Sequence, residues 1–142
     1  MPNTKHDTVQ IADRLRPVLL QVGRELRREA REVGVSPHQV SLLVAIKYQP
    51  GIGVRELAAR EKISAPAMSN HVDRMQRDGL VTRTPSNEDK RRVGLSLTEE
   101  GSRVLRRVRS RRTAWLATRL RGLTDEQLAA VDAAIEPLSE LL

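Results

Sequence analysis

Along most of this chain apolar side chains recur every three or four residues, the interval that lines up one face of an α-helix, and one short region alternates as strands do. Near the start, Ile11, Leu15, Val18, Leu19, Val22, Leu26 and Val33 keep the helical interval from about Thr8 to Val33, where Gly34 is placed to stop the run. Ser36-Pro37-His38-Gln39 has the form of a capping box opening a helix through Leu42, Leu43 and Ile46. Val54 to Lys62 predicts a short helix with Val54, Leu57 and Ala58 inward, and a few residues later Ser64 opens another that runs to Asp78. Gly79 can close it by adopting the left-handed conformation. Leu80 to Thr84 is then strand-prone, and Val93-Gly94-Leu95-Ser96-Leu97-Thr98 alternates apolar with small or polar residues. Val104, Leu105, Val108, Trp115, Leu116 and Leu120 mark a further long helix. Thr124-Asp125-Glu126-Gln127 caps a last one through Leu128, Val131, Ile135 and Leu138, whose final turns Pro137 should bend or weaken.

The helix from Ser64 repays a closer look. Met68, Val72 and Met75 form its inward stripe, so Pro66, Ser69, Asn70, Asp73 and Arg77 face outward, with His71 and Arg74 on the flank. Most amphipathic helices offer such a face to water alone. Here it follows a short helix at helix-turn-helix spacing and begins with small residues, Ser64, Ala65, Pro66 and Ala67, which permit close approach to a surface. An amide and then arginines suit the major groove of DNA, where Asn pairs with adenine and Arg reaches guanine or phosphate. Asp73 would repel phosphate if free, and is expected to pair with an arginine of its own chain.

Between the strands lies Pro85-Ser86-Asn87-Glu88-Asp89-Lys90-Arg91-Arg92, too long and too charged for a minimal turn. Its basic end could reach a phosphate backbone or a narrow minor groove. It has the character of a wing. At this point the chain resembles the MarR regulators (multiple antibiotic resistance regulators), through Val54-Arg55-Glu56-Leu57-Ala58, Val72-Asp73-Arg74-Met75-Gln76-Arg77-Asp78-Gly79-Leu80-Val81, and Asp89-Lys90-Arg91 ahead of Leu95-Ser96-Leu97-Thr98-Glu99-Glu100-Gly101. The resemblance implies a homodimer on a roughly two-fold symmetric operator, usually a repressor and often released by a small molecule. Arg91 corresponds to the family's wing-tip arginine and Asp89 to the acid that holds it. Ser64, Ala65, Pro66, Ala67, Ser69, Asn70, His71, Arg74 and Arg77 are the expected groove contacts, with Asp89, Lys90, Arg91 and Arg92 on the wing. The family often has Thr-Arg or a similar pair where this chain has Asn70-His71, so the bases read are this chain's own.

The fold expected is mainly α with a small β-hairpin wing: a winged helix-turn-helix over 36–98, flanked by long dimerisation helices at 1–35 and 99–142, in one structural domain overall. The terminal helices exceed what a winged helix needs to cover its own core. An isologous dimer gives them something to bury and sets two reading heads a fixed distance apart. By the resemblance, an effector pocket lies between the dimer helices and the reading head, near Arg16, Leu19, Leu43, Ile46, Lys47 and Trp115. Apolar walls with a cation suit a small aromatic or anionic effector.

Composition narrows the choices further. With 142 residues and no cysteine, the chain can bury a single core, and it has no disulfide, no thiolate metal ligand and no thiol-based redox sensing. No apolar stretch approaches the ~20 residues needed to span a bilayer, and the polar start lacks a signal peptide's core, so a cytoplasmic location without membrane partners is expected. A formal charge of +7 favours a polyanion. The densest basic run, Arg103, Arg106, Arg107, Arg109, Arg111 and Arg112, reads first as a solvated face. His6, His38 and His71 are scattered without metal-ligand spacing, and no nucleophile motif is present, so neither an enzyme nor a metal or cofactor is expected. Tyr48 and Trp115 are too few for single-strand stacking. A sequence-specific regulator on duplex DNA is therefore the first reading, and a winged-helix module for protein interaction or non-specific DNA binding is the alternative.

Overall fold

The computed structural model describes residues 6–85 and 93–142. Its helices start where the chain supplies an oxygen for a first-turn amide. Asp7 accepts from Val9 at the head of α1 (Thr8–Glu32), and Ser36 and Gln39 exchange hydrogen bonds of 3.1 and 3.0 Å at the head of α2 (Pro37–Tyr48). Ser64 accepts from Ala67 to open α4 (Ala65–Arg77), and Thr124 and Gln127 form the second capping box before α6 (Asp125–Ser139). Only α3 (Val54–Glu61) starts at a residue with no side-chain cap, Gly53. A tight turn joins α3 to α4, and Lys62 adopts the left-handed conformation there at φ 56°. A residue with a Cβ carries a penalty on the order of 1 kcal/mol in that region, offset here by the amides of Lys62 and Ile63 closing on Ala59 and Ala58.

The element order matches the expectation from periodicity: four helices, the strands β1 (Val81–Pro85) and β2 (Val93–Leu97), then α5 (Glu99–Leu120) and α6. The strands pair antiparallel from Val81 opposite Leu97 to Pro85 opposite Val93. Two strands alone are marginal in water. Here Ile52 bridges to Leu95, so the base of the hairpin is sewn to the turn before α3. The core is built from aliphatic side chains and methionine: Leu42, Leu43 and Ile46 of α2, Leu57 of α3, Met68, Val72 and Met75 of α4, Leu95 of β2 and Val108 of α5. Among the described residues no polar side chain is buried.

One joint connects this core to α5. Gly79, at φ +75°, ends α4 by the left-handed route, with the amides of Gly79 and Leu80 returning to Gln76 and Met75. Thr98 then makes three hydrogen bonds through its amide and hydroxyl, besides the carbonyl that accepts from Ser102 at the start of α5. Its amide donates to Leu80 O (3.0 Å), its hydroxyl donates to Gly79 O (2.6 Å), and the same oxygen accepts from the amide of Gly101 (3.0 Å). The start of α5 and the turn after α4 approach so closely that a Cβ on Gly101 would collide with the Leu80 carbonyl oxygen. Farther along, α5 is fastened to α1 by Arg111 on Glu29 (3.0 Å) and by Arg112, which donates to Leu26 O (3.0 Å).

The ends behave differently from the middle. α1 buries only Ala30, leaving Val9, Ile11, Val18, Leu19 and Leu20 exposed, and α6 buries nothing, with Leu128, Val131 and Ile135 open to solvent. Pro17 sits inside α1 without stopping it, whereas α6 ends at Ser139, two residues beyond Pro137. No described helix is long and apolar enough to cross a membrane.

Replacing Gly101 with alanine should lower unfolding free energy by about 1–3 kcal/mol, the usual cost of overpacking, because the obstacle is backbone rather than a movable side chain. Urea denaturation of the two proteins measures this, and an unchanged midpoint would contradict the close approach.

Candidate nucleic-acid interface

The geometry of α4 follows from its two faces. Met68, Val72 and Met75 are fully buried, which turns Pro66, Asn70, Asp73, Arg74, Gln76 and Arg77 outward. Ala65, Ala67, Ser69 and His71 are half-buried beside them, and Ser64 caps the start. The helix therefore offers a surface of small residues at its amino end, where the helix dipole favours anions, and amide and guanidinium groups farther along. Asn70, Asp73, Arg74, Gln76 and Arg77 line one open depression. Of the groove contacts expected on α4, Asn70, Arg74 and Arg77 line this depression, whereas Ala65, Pro66, Ala67, Ser69 and His71 do not. Gln76 joins them unforeseen, one position from Arg77 and so at the edge of the arc that periodicity assigns outward.

Asp73 is paired as expected. Its carboxylate accepts from the Arg83 guanidinium of β1 at 2.8 Å, which removes a free negative charge from the outward face and ties the hairpin to α4. Both partners are substantially exposed, so the pair is worth at most about 1 kcal/mol in stability, and its main effect is on charge and orientation.

His38 and His71, thirty-three positions apart, meet edge to face with ring centroids 4.7 Å apart and planes at 84°. No linear spacing announces this contact, which depends on how α2 lies beside α4. Burial, then the charges of His38 and Arg74, hold the His71 pKa below its ordinary 6.5. Among the described residues no cluster of three or more His, Cys, Asp or Glu could hold a metal.

Asp89, Lys90, Arg91 and Arg92 lie outside the described residues, and the described strands end at the Pro85–Val93 pair. The six residues expected around an effector do not line any one of the clefts described here together. Leu43 and Ile46 are sealed in the core with no exposed surface, because α2 is the central helix and is buried on several sides, a case in which apolar spacing does not tell wall from interior. Arg16 pairs with Asp13, Leu19 faces solvent on α1, and Lys47 lies beside the Tyr48 ring. Trp115 instead lines a cleft with Gln21, Val22, Arg24 and Glu25, under the Arg119 guanidinium. The arginine run on α5 is also divided. Arg106, Arg107 and Arg109 are exposed as expected, Arg103 pairs with Glu100 and Glu99, and Arg111 and Arg112 are spent on α1.

Residues 35–93 match the model of the MarR family, a span that holds α2 to β1 and reaches the start of β2. The chain is 30% identical over 114 residues to the HTH-type transcriptional repressor MdtR of Bacillus subtilis, an alignment covering 80% of this chain and 74% of that one. The transcriptional regulator Tm0710 of Thermotoga maritima superposes with a TM-score of 0.79 at 25% identity, covering 93% of each chain. The fold alone is shared with a mutant of S. aureus MepR solved bound to an oligodeoxyribonucleotide, at 20% identity and a TM-score of 0.71 over 92% of this chain and 97% of that one.

The depressed His71 pKa has a consequence for stability. Because the folded state disfavours the imidazolium, the unfolded chain binds more protons in acid, so the contribution is intact above pH 6.5 and is lost as pH falls through the lower folded value. His71→Gln should therefore flatten part of the acid-side decline seen in urea midpoints taken across that range; identical pH dependence in both proteins would refute it.

Proposed function

Since the chain belongs to the MarR family, a family of transcriptional regulators and not of enzymes, we propose that two copies of it bind one double-stranded operator in the cytoplasm and repress transcription until a small molecule releases them. The observation that carries this reading is α4, held by a buried stripe on one side and offering Asn70, Arg74, Gln76 and Arg77 together on the other. Such a helix fits the major groove: Ser64, Ala65, Pro66, Ala67 and Ser69 admit close approach, Asn70 and His71 offer hydrogen bonds to base edges, and Arg74 and Arg77 reach guanine or phosphate. On the wing, the family pattern gives Arg91 the tip position and Asp89 the part of the acid that holds it, while Lys90 and Arg92 add charge suited to a phosphate backbone. The names of relatives support repression, since MdtR is called a repressor and a 28%-identical Escherichia coli protein the homoprotocatechuate degradative operon repressor.

Self-association is supported by the ends of the chain. Ordering a residue costs about 1–2 kcal/mol of backbone entropy, which α6 does not recover in a single copy because nothing on it is buried. Covering Leu128, Val131 and Ile135 together with Val18, Leu19 and Leu20 of α1 would return on the order of 1.5–3 kcal/mol for each side chain fully buried. A two-fold dimer that interlocks these helices sets the two α4 helices roughly 34 Å apart, one turn of DNA.

Selection of bound duplexes from a random library should recover an inverted repeat with half-site centres about 10 bp apart, bound less tightly as salt rises, and Arg91→Ala should weaken binding about tenfold. A single unrepeated half-site would refute the dimer, and no enriched motif at moderate salt would refute sequence-specific reading in favour of a non-specific or protein-binding module.

For the effector, the cleft of Gln21, Val22, Arg24, Glu25 and Trp115 supports an amphipathic anion, with an indole wall for a ring and Arg24 for a carboxylate. Salicylate at millimolar concentration is expected to raise the thermal midpoint and to lower operator affinity; a flat response in both assays would count against this class.

A further inference from the structure

The contact between His38 and His71 joins an element outside the reading surface to a residue inside it. Each ring is carried on a fixed backbone. His38 lies in the first turn of α2, which Pro37 begins and the Ser36–Gln39 capping box locks with two hydrogen bonds. His71 immediately precedes Val72, whose side chain is completely buried with Met68 and Met75, so α4 cannot turn about its axis without opening the core. Two imidazoles at 4.7 Å and 84° leave each other few rotamers, since swinging either ring away gives up an edge-to-face contact. His71 also sits between Asn70 and Arg74, the side chains offered to a base edge, and is half-buried where a free surface histidine would be mobile.

From this juxtaposition we infer that His38 is a positioning residue for DNA reading: it touches no base, but its ring fixes the rotamer with which His71 enters the groove and so helps to set the base preferred there. This rests on the operator reading proposed above. A histidine that is free to rotate can donate or accept at more than one base edge, whereas a ring fixed in one orientation presents one pattern. The charged groups acting on His71 are His38 from α2 and Arg74 from its own helix, while Asp73, one turn of α4 away from Asn70, is engaged by Arg83 of β1.

Two measurements test this. In the free protein, the His71 ring protons are followed by nuclear magnetic resonance across pH in wild type and in His38→Ala; removing a neighbouring charge should move the His71 midpoint upward. In duplex selection, His38→Ala should relax base preference within each half-site and weaken the wild-type operator about threefold to tenfold, and His38→Phe, which keeps a ring for His71 to pack on, should restore the preference. An unchanged His71 titration overturns the inference whatever the selection yields. A moved titration with an unaltered motif overturns it too, because the rings then meet without guiding readout. If wild type itself selects no motif, the operator reading fails on its own, and the inference falls with it even where the titration shows the ring pair.

Discussion

The Leu80 carbonyl is where the two halves of this molecule are pinned. It accepts the amide of Thr98, it lies within contact distance of Gly101, and the neighbouring Gly79 carbonyl takes the Thr98 hydroxyl. A single hydroxyl thus fastens the turn after α4 to the start of α5, accepting from Gly101 as it donates to Gly79. The direction of α4 is in this way coupled to the direction of α5 through a few backbone atoms rather than through a flexible link. On the proposed function, an α4 whose angle drifted would lose the geometry that base contacts demand.

Around that pin the chemistry sorts by depth. Among the described residues no buried side chain needs a partner, so polar interactions are left for the surface, where they set orientation more than stability. Asp73 and Arg83 keep the hairpin against α4, Arg111 and Arg112 keep α5 against α1, and the two histidines link α2 to α4. The Arg112 guanidinium is partly withdrawn from water beside Arg27, which lowers its pKa, and it stays in place because the Leu26 carbonyl lies within reach of its Nε.

Much of this was legible in the sequence. Caps at Ser36, Ser64 and Thr124, the Gly79 stop, and the stripe of Met68, Val72 and Met75 each follow from local chemistry that does not depend on distant parts of the chain, and the Asp73 pairing follows from the cost of a bare carboxylate on a face expected to meet phosphate. What escaped were relations between elements. His38 and His71 look scattered until the first turn of α2 is brought to α4, and Arg111 and Arg112 look like solvated charges until α1 is set against α5. The burial of Leu43 and Ile46 in the core was hidden for a related reason: a helix buried on several sides carries no periodic mark of which side is which.

The apolar interior of aliphatic side chains and methionine has a consequence for how this chain can change over time. Swaps among leucine, isoleucine, valine and methionine at such positions cost under about 1.5 kcal/mol each when volume is kept, so the interior can be rewritten gradually without a new partner having to arise for each replacement. The Leu80–Thr98–Gly101 joint has no such latitude, because its contacts are made by backbone and by one hydroxyl. Divergent copies of this design would then be expected to differ freely inside and to agree at the hinge between helix and hairpin.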